Sequence, residues 1–261
     1  MILDDIAEET ARSIRRLKDE GFYGRIHEDF QTFVPSKERR FYNALKKPGL
    51  SFICELKKAS PSKGLISEEF PFEEIGREYE AAGASAISCL TEPKWFKGDI
   101  SYLKRVTGEV KVPVLRKDFI LDECQIEEAA LRGASAILLI AAILTDEDIR
   151  KLMKKARESG LDVLAEVHDE NELSRMIDCG ADIIGINNRD LRDFTIRLET
   201  TERLAPLIPK GTLLVSESGM MNEEAVKRMR AAGADGVLIG EMLMRADNRS
   251  ELLQKMIREN S

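Results

Sequence analysis

A chain of 261 residues with a formal charge of −7, its 40 basic and 47 acidic side chains interspersed, has room for one large α/β barrel and lacks the basic run that a nucleic-acid surface requires. Four cysteines (Cys54, Cys89, Cys124, Cys179) without a CxxC pair, and two histidines (His27, His168) remote from each other, argue against a zinc site and read as residues of a reducing cytosol. The longest apolar run, 136–144, is too short to span a bilayer, and the acidic start MILDDIAEE lacks a signal-peptide core, so a cytoplasmic protein with no membrane partner is expected.

Residues 1–20 read as an amphipathic helix with Ile2, Leu3, Ile6, Ile14 and Leu17 on one stripe, ended by Gly21 and Gly24. A second short helix is predicted over 36–46, with Ser36 as N-cap, Phe41, Tyr42 and Leu45 as its apolar side, and Pro48-Gly49 as its stop. Residues 1–48 thus form a helical extension. From residue 50 short apolar runs alternate with helical stretches. The runs are 51–56, 86–91, 112–116, 136–140, 162–167, 183–187, 213–217 and 236–240. Helices are predicted near 72–82, 99–108, 122–132, 145–159, 169–179, 199–206, 222–232 and 249–259. This alternation implies βαβ units and a parallel sheet.

An internal repeat fixes the number. Ala82-Gly83-Ala84-Ser85, Arg132-Gly133-Ala134-Ser135, Cys179-Gly180-Ala181-Asp182 and Ala232-Gly233-Ala234-Asp235 each precede an apolar run and recur roughly every 50 residues. Gly in this position closes a helix and Ala allows a tight turn into the next strand. Four double units make eight, the count that closes a (β/α)8 TIM barrel. No G-x-G-x-x-G follows the first strand, which argues against a doubly wound open sheet. The chain is expected to be one barrel domain over 1–261.

Polar residues gather at the C-terminal ends of the apolar runs. Glu55 and Lys57 end the first, Lys117 and Asp118 the third, Glu166 the fifth, Asn187 the sixth, Glu217-Ser218-Gly219 the seventh and Gly240-Glu241 the eighth. In a closed barrel these ends meet at one rim, where active sites sit. Carboxylates raise one another's pKa and ammonium groups lower it, so such a rim suits general acid–base catalysis. His168 shares the strand face of Glu166 and reads as a loop or supporting residue. Ser60, Ser218, Gly219 and Gly240 follow the first, seventh and eighth strands. The last two of these strands often precede phosphate-binding loops in such barrels. Trp95-Phe96 and Phe119 lie just past the second and third strands and suit either loop packing or the wall of an aromatic site.

Taken together, Glu55-Leu56-Lys57-Lys58-Ala59-Ser60-Pro61-Ser62, the stretch from Leu90 to Gly98, Arg116-Lys117-Asp118-Phe119, Glu166-Val167-His168, the stretch from Gly185 to Leu191, and Ser216-Glu217-Ser218-Gly219 resemble the indole-3-glycerol-phosphate synthase family, in the family's order and across essentially the whole chain. The resemblance implies ring closure of 1-(2-carboxyphenylamino)-1-deoxyribulose 5-phosphate to indole-3-glycerol phosphate, CO2 and water, with no metal and no organic cofactor. It implies Lys117 as general acid, Glu166 as general base and Glu55 as its acid–base partner. Lys57 would hold the substrate carboxylate with help from Arg189, and Asn187 and Glu217 would orient the groups. Ser60, Gly219, Gly240 and Glu241 would surround the phosphate and Ser218 the sugar. Phe96, Phe119, Leu138 and Leu191 would wall the aromatic pocket, with Pro61 at its edge. The expected partner is a small phosphorylated anthranilate, with no nucleic acid. A monomer is the expectation and a dimer the alternative. A pathway isomerase barrel needs only one acid–base pair, and a binding-only barrel would be expected to lose Lys117 or Glu166; the residues present argue against both.

Overall fold

The computed structural model describes residues 2–190 and 193–260. Eight strands, β1 (Ser51–Leu56), β2 (Ala86–Leu90), β3 (Val114–Lys117), β4 (Ala136–Ile140), β5 (Asp162–Val167), β6 (Ile183–Asn187), β7 (Leu213–Glu217) and β8 (Gly236–Ile239), close into a barrel in which β1 pairs with both β2 and β8. Every neighbouring pair in it is parallel. Strands in a closed parallel barrel are covered on both faces, which is why these segments read as unbroken apolar runs. A two-residue ladder outside the barrel pairs Ala59–Ser60 with Gly64–Leu65.

The helices are α1 (Ile2–Asp19), α2 (Phe22–Phe30), α3 (Arg40–Leu45), α4 (Phe72–Ala82), α5 (Ile100–Glu109), α6 (Glu123–Leu131), α7 (Asp146–Glu158), α8 (Glu170–Asp178), α9 (Glu199–Leu204), α10 (Glu223–Ala231), α11 (Glu241–Met244) and α12 (Arg249–Glu259). Side-chain caps start most of the barrel helices: Asp99, Asp122, Thr145, Asp169, Asn222 and Asn248 each accept a backbone N–H of the first turn. The repeat glycines end the helices as expected, with Gly83 at φ +103 and Gly233 at φ +96. Among the described residues no helix is long and apolar enough to cross a membrane.

Period-two alternation separates two apolar layers. Phe52, Cys54, Ile87, Cys89, Ile137 and Leu139 face outward into one cluster that includes Ile75 and Tyr79 of α4, Leu103 and Val106 of α5, and Ile126 and Ala129 of α6. Ile53, Leu115, Leu138, Leu164, Ile183, Val215 and Leu238 fill the barrel interior. The extension joins this interior cluster at both ends of the barrel. Phe41 and Leu45 of α3 are fully buried in it. Asp162, the first residue of β5, accepts from Arg39 Nε at 2.8 Å and from the Tyr42 N–H at 2.9 Å, so α3 seals the end where the strands begin. Leu3 and Ile6 of α1 pack over the opposite end. Each buried Leu or Phe stabilises by about 1.5–3 kcal/mol, so the extension is held by its own burial.

Two expectations for the extension need correction. Gly24 does not end a helix; it lies inside α2. Burial of Tyr23 against Ile14 and Cys124 outweighs the cost of about 1 kcal/mol that a helical glycine carries. Ser36 does not cap α3, which begins four residues later at Arg40. The Ser36 hydroxyl instead accepts the Glu38 N–H at 3.1 Å, a local turn that competes with helix.

Candidate active site

One cavity opens where the strands end, and the residues expected there line it: Glu55, Lys57, Ser60, Pro61, Phe96, Lys117, Phe119, Leu138, Glu166, Asn187, Arg189, Glu217, Ser218, Gly219, Gly240 and Glu241. Leu191, the remaining expected member, lies outside the described residues.

Register builds the polar centre. Along β1 and into the residue that follows it, Ile53, Glu55 and Lys57 project to the inside, so an apolar floor gives way to a carboxylate and then an ammonium. Glu55, buried, is in contact with Lys57 Nζ through Oε2, and its Oε1 lies 3.9 Å from Lys117 Nζ. Lys117, the last residue of β3, is also 3.9 Å from Glu217 Oε2. Asn187 pairs with Glu217 across β6 and β7, and its Nδ2 donates to Glu166 Oε1 at 3.2 Å. The Asn187 Oδ1 accepts the Arg189 N–H at 3.0 Å, and the Arg189 guanidinium reaches Ser62 Oγ at 3.2 Å. Four strands thus deliver three buried carboxylates around one ammonium.

The electrostatics follow from that packing. Burial would lower the pKa of Lys117, but Glu55, Glu166 and Glu217 outweigh it and hold the ammonium above its ordinary value. Burial and the neighbouring Glu166 push Glu217 up to about 8, against the pull of Lys117. Neither Glu217 oxygen accepts a hydrogen bond among the described residues. A carboxyl that keeps its proton at neutral pH can donate to a ligand hydroxyl, while Lys117 stays charged beside it. Among the described residues no group of three or more His, Cys, Asp or Glu is arranged to hold a metal ion.

The wall formed by the loops after β7 and β8 is glycine and strained backbone. Ser218 takes φ +62 and Gly219 φ +85, and both line the cavity. A non-glycine residue in this region is uncommon and needs support. Asn188 supplies it: its Nδ2 donates to the Glu217 and Ser218 carbonyls at 3.0 and 3.2 Å, and its Oδ1 accepts from Thr201 Oγ1 at 2.8 Å. At Gly240 a Cβ would collide with the Glu55 carboxylate and lie 3.2 Å from Lys57 Nζ. Glycine there keeps the approach to both groups open.

The apolar side is formed by Phe96 and Phe119, ring centroids 6.3 Å apart, with Leu138 below. Phe96 is aimed by Glu92, whose buried carboxylate accepts the N–H groups of Lys94, Trp95 and Phe96 at 2.9, 2.7 and 2.9 Å. Trp95 packs beside the interior cluster and does not line the cavity.

Several contributors were missed by sequence reasoning. Ile2, Leu3 and Ile6 of α1 line the cavity. The amphipathic stripe of α1 was visible, but nothing in it says which end of the barrel it covers. Gly185 on β6 matters through what it lacks, since a Cβ there would collide with Glu217 Oε1 and lie 3.2 Å from Leu164 Cδ1. In an apolar run that glycine has no distinguishing sign. Asn188, beside Asn187, carries a signal in retrospect: two adjacent amides at a strand end serve opposite faces.

A family model described as indole-3-glycerol phosphate synthase matches residues 3–256. The chain is 46% identical over 256 residues to the indole-3-glycerol phosphate synthase of Ruminiclostridium cellulolyticum, with 98% of each chain covered. It is 44% identical over 251 residues to that of Campylobacter curvus, covering 95% of this chain and 96% of the relative. Among solved structures, thiamine phosphate pyrophosphorylase from Pyrococcus furiosus is similar with a TM-score of 0.61 at 17% identity, covering 85% of this chain and 98% of that one, a likeness of fold alone. The chain belongs to the indole-3-glycerol phosphate synthase family.

Proposed function

We propose that this chain, a lyase by its family, closes an indole ring in tryptophan biosynthesis. It converts 1-(2-carboxyphenylamino)-1-deoxyribulose 5-phosphate to indole-3-glycerol phosphate with loss of CO2 and water. The observation that carries this reading is the Lys117 ammonium, held at the barrel mouth 3.9 Å from carboxylate oxygens of both Glu55 and Glu217. A cation that keeps its proton beside carboxylates in unlike surroundings is a general acid next to general bases.

The aromatic carbon that bears the carboxylate attacks the ketone carbon, and Lys117 donates its proton to the ketone oxygen as the carbon–carbon bond forms. Lys57 holds the carboxylate, assisted by Arg189, until its bond to the ring breaks. The electron pair stays in the ring and restores its aromaticity as CO2 departs. Glu166 then removes a proton from the carbon next to nitrogen, and that C–H pair becomes the new double bond. Glu55 hands a proton to the departing hydroxyl, which leaves as water. Glu55 touches Lys57, whose ammonium still carries its proton and supplies it. Asn187 and the protonated Glu217 orient the substrate hydroxyls. Ser60, Gly219, Gly240 and Glu241 at the start of α11 receive the phosphate, Ser218 the sugar, and Phe96, Phe119, Leu138 and Pro61 the aromatic ring.

The interior cluster shared by α1, α3 and the strands supports one unit over 1–261, with 1–48 as its helical extension. Buried free thiols at Cys54, Cys89 and Cys124 fit a reducing cytoplasm. The test is turnover of the carboxyphenylamino-deoxyribulose phosphate with a chelator present, followed by indole fluorescence. A rising signal is expected. No signal from protein that still binds a substrate analogue would replace the reading with a binding-only barrel.

A further inference from the structure

His168 has no part in the chemistry above, yet its surroundings are built. It follows the last residue of β5. Its backbone N–H donates to Glu172 Oε2 at 2.8 Å, and its ring Nδ1 lies 3.1 Å from the same oxygen. Glu172 is itself fixed, because its N–H donates to the capping Asp169 Oδ1 at 2.9 Å. A carboxylate against Nδ1 keeps a proton on that nitrogen and leaves the ring one orientation. Nε2 is then turned toward Glu166 Oε1 at 3.6 Å, a charge contact too long for a hydrogen bond, and it is buried with no hydrogen-bond partner among the described residues.

Asn187 Nδ2 approaches that same Glu166 oxygen at 3.2 Å. One hydrogen-bond donor and one ring nitrogen therefore face Oε1, while no described residue donates to Oε2. A general base needs this division, with one oxygen held and the other free for the substrate proton. We propose that His168 is a positioning residue for Glu166: braced by Glu172, its ring holds Oε1 in place, so that Oε2 is presented to the substrate proton. This inference rests on the reading of Glu166 as the general base.

The charges around the ring favour its protonated form. Burial opposes it, but the bond to Glu172 on α8, Glu166 two residues earlier and Glu217 on β7 together hold the His168 pKa above its ordinary 6.5. The cleft on the outer side of the ring adds Asp169, Asp190, Arg189, Arg197 and Arg203, charges of both signs. Without the imidazolium a positive charge is lost from beside the Glu166 carboxylate, a change that the acid limb of kcat reads.

The experiment is kcat and KM from pH 5 to 9 for His168→Gln, Glu172→Gln, Glu166→Gln and the His168→Gln/Glu166→Gln pair, each checked for its melting transition. His168→Gln is expected to lower kcat about tenfold, leave KM within about twofold, and move the acid limb of kcat up by about one pH unit. Glu172→Gln is expected to move the same limb in the same direction by less. In the Glu166→Gln background His168→Gln is expected to cost nothing further, because the group it serves is gone. A parental pH profile in His168→Gln overturns the proposal, as does a loss that appears only in KM or that adds in full to Glu166→Gln. Should His168→Gln not fold, an unmoved acid limb in Glu172→Gln overturns it equally. Glu166→Gln separates this inference from its premise. Retained turnover there sinks the assignment of Glu166 itself, whereas lost turnover with a parental His168→Gln sinks the positioning role alone.

Discussion

Arg116 and Lys117 are adjacent on β3, point to opposite faces, and each sits in a nest of buried carboxylates, but the two nests are built differently. Arg116, facing out, is paired with Asp118 at 3.1 Å and Glu128 at 3.2 Å, and donates to the Gln125 carbonyl at 2.8 Å. Asp118 also accepts from Thr91 Oγ1 at 2.6 Å, and Glu128 from Arg132 at 3.0 Å. Lys117, facing in, has its carboxylates at 3.9 Å, and both oxygens of Glu217 lack hydrogen bonds among the described residues. A set of charge-assisted bonds in which both carboxylates are paired, and Arg116 Nε alone lacks a partner among the described residues, holds β3 to α6; an open set keeps the hydrogen-bonding capacity of its carboxylates for a ligand. Satisfaction, rather than burial or charge count, separates the structural cluster from the chemical one.

The same substitution at these neighbours is therefore expected to break different things. Lys117→Ala should lower kcat about 10³-fold or more, about 4 kcal/mol of transition-state stabilisation. Its melting temperature should move by only a few degrees, because Lys57 remains against Glu55 and Glu217 already carries a proton. Normal turnover by that variant would remove Lys117 from the role of acid. Arg116→Ala should do the reverse. It takes the charge partner from buried Asp118 and leaves Glu128 with Arg132 alone, at a cost of about 3 kcal/mol, or roughly 8 °C in Tm. The protein that remains folded should turn over within about threefold of the parent. A large loss of kcat without a loss of Tm would show that the outer cluster also serves the site.

The outer and inner clusters differed in how well they could be read beforehand. The rim was legible because a buried carboxylate or ammonium at the end of an apolar run is costly unless it is used or paired, and alternation says which face each takes. Glu55, Lys57, Lys117, Glu166, Asn187 and Glu217 were all reachable in this way. The supports were not, because they act through partners far away in sequence. Arg116 and Glu128 meet across a strand–helix interface, Glu92 folds back onto its own loop, and α2 exists only because Tyr23 finds a place beside α6. The fold was legible for a similar reason. Eight runs with a Gly-Ala repeat fix the count, whereas the placement of α1 and α3 at opposite ends of the barrel depends on burial in three dimensions.

Gly185 sharpens the comparison at smaller cost. It pairs with Glu166 across β5 and β6 and leaves the space that the Glu217 carboxylate occupies. Gly185→Ala should displace that carboxylate and press on Leu164, for a loss of about 1.5 kcal/mol in stability and about tenfold in kcat. Parental kinetics with lowered Tm would mean that the interior cluster tolerates a shift that its geometry does not suggest.

The smallest effect expected is a gain. Glu217 is held up at about 8 in the folded protein, by burial first and Glu166 second, and titrates near 4.3 when unfolded. Between these values the folded state binds the extra proton, so this group makes stability fall as pH rises, and the full loss is present once pH passes the folded value. Gln keeps the size and can still donate a hydrogen bond, but has no proton to lose. Glu217→Gln should therefore match the parent below about pH 4 and exceed it increasingly toward pH 8, read as a gain in Tm that grows with pH. The sign sets the two clusters apart most directly. Glu128→Gln, made in the satisfied nest, weakens a bonded partner of Arg116 and should lower Tm at the same pH. A Glu217→Gln variant less stable than the parent at pH 7, or one whose advantage did not grow with pH, would mean that this carboxyl is held as firmly as its outer counterpart, and the distinction between a closed and an open charge cluster would fail in this barrel.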